Sequence, residues 1–560
     1  MSGSARSTAL RASADEKIAI PMDPNPADLL LTGGSVRTVD DAGTLAEAVA
    51  IKDGRIAAVG RASDVARLAG PKTRVIELEG QTVLPGFQDA HLHPLDGGLL
   101  AVVCNLHETG SADECLDVIA RYAGDHPDRD WITGDGWSMD FFEGGNPDKE
   151  QLDAVVSDRP VYLENRDGHT AWVNSRALEL AGIDAACPDP PDGRIQRGPD
   201  GEPSGALHEG AMRLVADLAP PPTQDELEQA FRNAQAELHA LGITAWQDAV
   251  VTAATLPAYL AVAERGEVTM HVEGNLLWDR TRGDEQIEDL LALRERGNLG
   301  RVCIRGAKIF VDGVLENFTG ALLEPYVGTD NRGMAMHDAE ELVRMVTLLD
   351  SHGFQVHMHT IGDRAVRDAL DAVEAAQSAN GRRDARHHLA HIQLVHPDDH
   401  PRFGELDVVA NAQPYWAAAS RYVNELTLPF IGPERARYHY PFGSLHRAGA
   451  RLAFGSDWTV STADPLAQIE VAVTRVEHPN RDTEPLLPEE ALDLDTAVAA
   501  FTRGSAHVNF LEDETGTIEP GKLADLVVLD RDIFDPGAGP IGDARVVLTL
   551  VEGEAVHDAL

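Results

Sequence analysis

The sequence predicts an α/β protein: a (β/α)8 TIM barrel, a composite β-sandwich drawn from both chain termini, and an inserted region after the first barrel strand. Three observations carry this reading. Short apolar strands alternate with long amphipathic stretches through the middle of the chain. Matching pairs of β-type runs flank that middle. Histidines, a lysine and an aspartate recur at the predicted strand ends, where barrel enzymes place their chemistry.

The terminal runs are LLLTGGSVRTVD and LAEAVAIKDGRIAAVG near the start, and LADLVVLD and ARVVLTLVEGEAVHD near the end. The second and fourth read as hairpins turning at Asp53-Gly54 and Glu552-Gly553. Neither half has enough strands to bury a core, so residues 27–85 and 511–560 are expected to form one sandwich. Between them, eight strands are predicted at FQDAHLH, ITAWQD, MHVEGNL, CIRGAKIF, FQVHMH, HHLAHI, DVVANAQ and RLAFGSD. Helical sequence such as AEELVRMVTLLDSHG and DRAVRDALDAVEAAQSA separates several of them. Residues 86–510 are therefore assigned to the barrel. More than a hundred residues lie between the first two strands, far beyond a normal βα loop, so an insert is expected at about 105–235.

Residues 1–26 contain no apolar run of signal-peptide length and read as a disordered extension, with a cytoplasmic location by default. No run of about 18 apolar residues occurs, so no membrane span is predicted. The 92 acidic residues against 47 basic ones leave a formal charge of −45. That charge disfavours nucleic acid and anionic membranes as partners and leaves a small-molecule substrate. A homodimer is left open. Four cysteines lie far apart without a CxxC pair, which matches neither a zinc knuckle nor a disulfide framework.

Alternation along the first strand turns His91 and His93 to the same side, where two imidazoles can converge on one ion. Two partly buried, hydrogen-bonded histidines would give the same pattern. His359, His391 and Asp457 close the fifth, sixth and eighth strands and favour the metal. Lys308 lies among apolar residues of the fourth strand, where an unpaired ammonium is costly. Only six lysines stand against 41 arginines in this chain. A lysine here points to a task that needs an amine: reaction with carbon dioxide to give a carbamate that bridges two cations. Pairing with Asp312, or snorkelling to solvent, is the plainer alternative.

The segments LPGFQDAHLHP, KIFVDG, HTIGDRAV, HLAHIQLV and FGSDWTV resemble those of the amidohydrolase superfamily. With DGHTAWVNSRALELAGI and EPGKLADLVVLD they resemble its amidohydrolase-3 branch, the YtcJ-like, N-substituted formamide deformylase-like group, over about 30–560. The resemblance implies two divalent ions, zinc first with manganese or iron as substitutes. His91, His93 and Asp457 would hold the more buried ion and His359 and His391 the other, with carboxylated Lys308 between. His357 shares a strand face with His359, but the HxxGD pattern fits His359. The implied chemistry is hydrolysis of an amide- or formamide-type C–N bond, with Asp457 as proton shuttle and Lys308 as bridge. GVLENFTGAL departs from relatives that carry Ser and Arg after the lysine strand, which leaves the leaving-group pocket undefined. Ester, lactone or carbamate hydrolysis on the same centre is the alternative, and a non-catalytic regulatory barrel a more distant one. Substrate contacts are sought at His169 and Asn174 in the insert, at the apolar Trp137, Phe141 and Trp458, and at Asp363 and Arg364 after the fifth strand.

The charge excess yields a test. Mutual repulsion destabilises the folded chain at low ionic strength, and salt screens it. The melting temperature is expected to rise between dilute buffer and roughly molar salt; a flat response would assign the acidity to genome composition.

Overall fold

The structure, a computed structural model, describes residues 26–560. The N-terminal extension expected for 1–26 therefore lies almost wholly outside the described residues.

Eight parallel strands form the barrel in chain order: β1 (Phe87–Leu92), β2 (Ile243–Val251), β3 (His271–Leu277), β4 (Val302–Phe310), β5 (Gln355–Thr360), β6 (His388–His391), β7 (Val409–Ala412) and β8 (Leu452–Phe454). Each falls on a run expected from the sequence. The connecting helices bury one apolar stripe against the sheet. The helix Asp363–Asn380, for example, buries Val366, Ala369, Leu370 and Val373 and leaves its charged face outside.

The ladder is continuous from β1 to β8 but does not pair β8 with β1. Closure comes from the segment after β8, which bonds to β1 and to the residue that follows it. Asp457 N donates to His91 O and His93 N donates to Trp458 O, both at 2.7 Å. The buried Asp89 carboxylate accepts from Ser456 N at 3.0 Å and from His91 N at 3.0 Å. The two segments approach so closely that a Cβ at Gly455 would lie 2.5 Å from His91 N, hence glycine there. Asp457 therefore belongs to a hooked turn after β8, with φ 53°, rather than to the strand itself.

Both terminal hairpins form where expected. Asp53 and Gly54 have φ 49° and 77°, as do Glu552 and Gly553, the left-handed pair of a type I′ turn. Hydrogen bonding links the terminal strands into one ladder, with Leu526–Leu529 from the C-terminal half beside Thr82–Pro85 from the N-terminal half. Alternation divides their side chains. Leu526 and Val528 join the core of this domain, whereas Val527 and Leu529 pack into the barrel core.

A six-stranded sheet spans Cys104–Glu209 and forms the insert. The helix Gln224–Ala240 follows, started by a Thr223–Glu226 capping box. Its Leu227, Ala230, Phe231 and Ala234 pack into the barrel core, so the insert ends nearer 222 than 235. All four cysteines are free thiols. Among the described residues no helix is long and apolar enough to cross a membrane.

Loss of the Asp89 carboxylate would leave two buried backbone N–H groups unpaired, at about 1–3 kcal/mol each. Asp89→Ala is expected to lower the unfolding free energy by about 2 kcal/mol or more in urea titration. An unchanged midpoint would deny Asp89 its part in closing the barrel.

Candidate metal centre

The six residues singled out at strand ends meet at the C-terminal mouth of the barrel, on the wall of a cavity of about 2050 Å³. His91 and His93 direct Nε2 at Asp457 Oδ1 from 3.3 and 3.2 Å. His391 brings Nδ1 to 3.8 Å from Asp457 Oδ2. His91, His391 and Asp457 each offer one ligand atom within 4.8 Å of the others. His359 meets His391 edge-on with ring centroids 4.5 Å apart. Asp457 and His391 hold their positions with φ of 53° and 75°. Such left-handed backbone costs on the order of 1 kcal/mol or more and persists only where the surroundings enforce it.

These buried atoms fit a cation. His391 Nδ1 and Asp457 Oδ1 have no hydrogen-bond partner, a costly state for polar atoms withdrawn from water. A divalent ion between them would satisfy both, and imidazoles with one carboxylate suit zinc, manganese or iron. Burial and the nearby Lys308 charge lower His91 to about 3, and burial drives His359 and His391 well below the ordinary imidazole range. Burial alone would raise Asp457, but His91, His93 and His391 outweigh it and hold the carboxyl well below its usual range. His93 moves the other way: burial lowers it but Asp457 prevails and raises it. Neutral His91, His359 and His391 beside an ionised carboxylate are the protonation states a metal requires.

Lys308 lines the same cavity and is 1% exposed. It is not paired with Asp312, whose carboxylate instead accepts the backbone N–H groups of Ala321, Ile361 and Gly362 at 2.9, 3.0 and 2.8 Å. Asp312 also stands 3.3 Å from His359 Nδ1. Burial lowers Lys308 to about 7 against the opposing pull of Asp457 and Asp248.

The residues considered for substrate contact divide. His169 reaches the cavity, its ring centroid 5.2 Å from that of His359. Its Nδ1 is 3.0 Å from Glu209 Oε2, and Glu209 also accepts from Thr319 Oγ1 at 2.6 Å. Burial opposes charge on His169, but Glu209 prevails and lifts it to about 9; burial likewise opposes ionisation of Glu209, which His169 brings down to about 2. Trp458 lies on the cavity wall.

Asn174 does not reach the cavity. It caps the helix Ser175–Ala181, accepting from Ala177 N and Val161 N at 3.0 Å and donating to Val156 O and Arg159 O at 3.0 and 2.9 Å. Trp137 borders the cavity, but its fully buried ring packs edge-on to Phe142 and Trp172 in the core of the insert, with Nε1 bonded to Leu163 O. Phe141 packs against that same core. Asp363 accepts Leu323 N at 2.9 Å and anchors a loop, and Arg364 pairs with Asp368 one helical turn on.

Sequence reasoning missed Asp89, Glu209 and Trp416, the last stacked on His391 with centroids 5.4 Å apart. Asp89 lies inside the first-strand motif FQDAHLH, and a carboxylate in that apolar strand, two residues before His91, was the available signal. Glu209 and Trp416 had none.

Comparison with known proteins agrees with this geometry. A model of the amidohydrolase family matches residues 74–557. Protein LONG AFTER FAR-RED 3 of Arabidopsis thaliana is 32% identical over 95% of this chain and 92% of its own. The N-substituted formamide deformylase of Arthrobacter pascens is 29% identical over 94% of this chain and 97% of its own. The crystal structure of an uncharacterized metal-dependent hydrolase from Pyrococcus horikoshii OT3 superposes with TM-score 0.71 at 26% identity, covering 92% of this chain and 99% of that one. The chain belongs to the amidohydrolase family, and with it to the metal-dependent hydrolases.

Proposed function

We propose that the protein hydrolyses a C–N bond of amide or formamide type in a small organic substrate, with two divalent cations, zinc first, at the barrel mouth. The observation that carries the reading is the convergence of His91, His93, His391 and Asp457 at a large cavity, with His391 Nδ1 and Asp457 Oδ1 buried and without a hydrogen-bond partner. The Arthrobacter relative named for formamide deformylation supports the choice of bond. His91, His93 and Asp457 would hold one cation, and His359 and His391 the other. Cations held there would supply a water of lowered pKa and a positive charge to polarise the scissile carbonyl.

The chain's own groups do the rest. Asp457, ionised and buried, accepts the proton released by the attacking water and returns it to the departing nitrogen. Lys308, with its pKa brought near neutrality, supplies the free amine that adds to carbon dioxide. The N–C bond forms as one C=O π pair of carbon dioxide moves onto oxygen, the amine proton passes to water, and the resulting carbamate would offer its anionic oxygens to cations held there. His169, held through Nδ1 by Glu209, offers its other ring nitrogen to the substrate oxygen. Trp416 and Trp458 form apolar wall.

Two measurements test this. Adding zinc or manganese to chelator-stripped protein is expected to raise its melting temperature, since ligand at a hundredfold excess over Kd stabilises by about 2.7 kcal/mol. His91→Ala should lose most of that shift, and no shift with any divalent ion would remove the metal centre.

Against a panel of matched amides, esters, lactones and carbamates, the amides or formamides are expected to turn over fastest. In Asp457→Asn, which keeps an oxygen ligand but cannot take up a proton, kcat should fall by about 100-fold or more while most of the metal remains. Turnover near the wild-type rate with metal bound would sink the proton-shuttle role, and faster ester cleavage would sink the choice of bond.

A further inference from the structure

Behind the metal centre lies a polar cluster that none of the proposed steps uses. His357 is on β5, in register with Lys308 on β4 and His388 on β6. Its side chain is 0% exposed and is not on the cavity wall. Its Nε2 lies 2.8 Å from His91 Nδ1, and the two rings meet at 79° with centroids 4.6 Å apart.

The direction of this hydrogen bond follows from what His91 must do. His91 Nε2 faces Asp457 Oδ1, so it is the nitrogen that would bind a cation and must carry a lone pair. A neutral imidazole has one N–H, which then sits on Nδ1 and needs an acceptor. Among the described residues His357 Nε2 is the one partner of His91 Nδ1.

Neighbours fix His357 in turn. His391 N donates to Gln413 Oε1, which leaves Gln413 Nε2 to donate to Asn411 Oδ1. The Asn411 amide then gives its protons to Ala90 O at 2.8 Å and to His388 Nδ1 at 3.0 Å. A backbone N–H at one end and a backbone carbonyl at the other permit no other orientation of either amide. The His388 ring so held lies 4.0 Å, centroid to centroid, from the His357 ring at a tilt of 36°. His357 is thus confined between His388 and His91.

We propose that His357 is a positioning residue: it accepts the His91 Nδ1 proton, and so fixes the tautomer and ring angle that turn His91 Nε2 toward the bound ion. Metal-binding histidines commonly give their second nitrogen to a carboxylate or carbonyl; here a neutral imidazole fills that place, held by packing against the His388 ring, with its own Nδ1 buried and without a hydrogen-bond partner. The inference rests on His91 being a metal ligand, as in the function proposed above.

The test measures metal affinity, with no substrate required. Full-length protein stripped of metal is titrated with Co²⁺ against a competing chelator, and the visible spectrum of the bound ion is recorded. His357→Leu removes the acceptor and is expected to weaken binding by about 10- to 100-fold, with shifted absorption bands. His357→Gln, whose side-chain oxygen can reach the place of Nε2, should stay within a few-fold of wild type. Thermal melts without metal report folding. Should His357→Leu fail to fold, His357→Asn, whose amide stops short of His91, replaces it with the same expected loss. Wild-type affinity in the Leu or Asn variant, or equal loss in the Gln variant, would overturn the positioning role. Absence of Co²⁺ binding by the wild-type chain would instead overturn the metal-centre reading beneath it.

Discussion

The clasp between the first and last barrel strands is the constraint on which this structure turns. An eight-stranded barrel must join its two edge strands, and here the strands themselves do not pair. The backbone bonds from Asp457 to His91 and from His93 to Trp458 take over that role, backed by the Asp89 carboxylate. The residues that close the barrel are thus the residues that carry, or adjoin, the atoms proposed to hold metal. Closure and ligand geometry are one feature, and the turn after β8 bears a left-handed Asp457 in order to serve both.

That coupling governs the electrostatics. Closing the barrel brings a lysine, an ionised carboxylate and several imidazoles together as nearly fully buried side chains at the cavity wall. Burial holds His91, His359 and His391 neutral and brings the Lys308 pKa to about 7. Asp457 raises His93 against its burial, and Asp457 keeps its own charge because three histidines face it. The ligand atoms that remain unpartnered are a cost to the polypeptide alone. A cation at that point would convert the cost into binding free energy, as the proposed metal centre requires.

The insert contributes another kind of control. Its sheet has its own core around Trp137 and Trp172, and that rigidity carries His169 to the barrel mouth. Glu209 ends another strand of the same sheet and holds His169, while Thr319 from the loop after β4 holds Glu209. The segment that roofs the cavity is therefore tied to the barrel through a buried polar chain. Asn174 serves the same end at a distance: its side chain is consumed in fastening helix to strand within the insert.

The sequence alone determined the class of fold, both terminal hairpins, all eight barrel strands and the six residues that meet at the mouth. Each is a local matter: alternation and apolar runs mark strands, Asp-Gly and Glu-Gly dipeptides mark turns, and ligand chemistry at strand ends marks the site. Only the tertiary structure decided which polar groups pair. Asp89 and Ser456 are 367 residues apart, and His357 and His91 are 266 apart. Nothing in the alternation of one strand says which side chain of another it will meet, because the tilt and stagger of the closed barrel set that meeting. Asn174 and Asp363 show the same limit from the other side. Their residue type suited a binding role, but backbone groups of neighbouring segments claimed them first, since a buried N–H or carbonyl must find a partner.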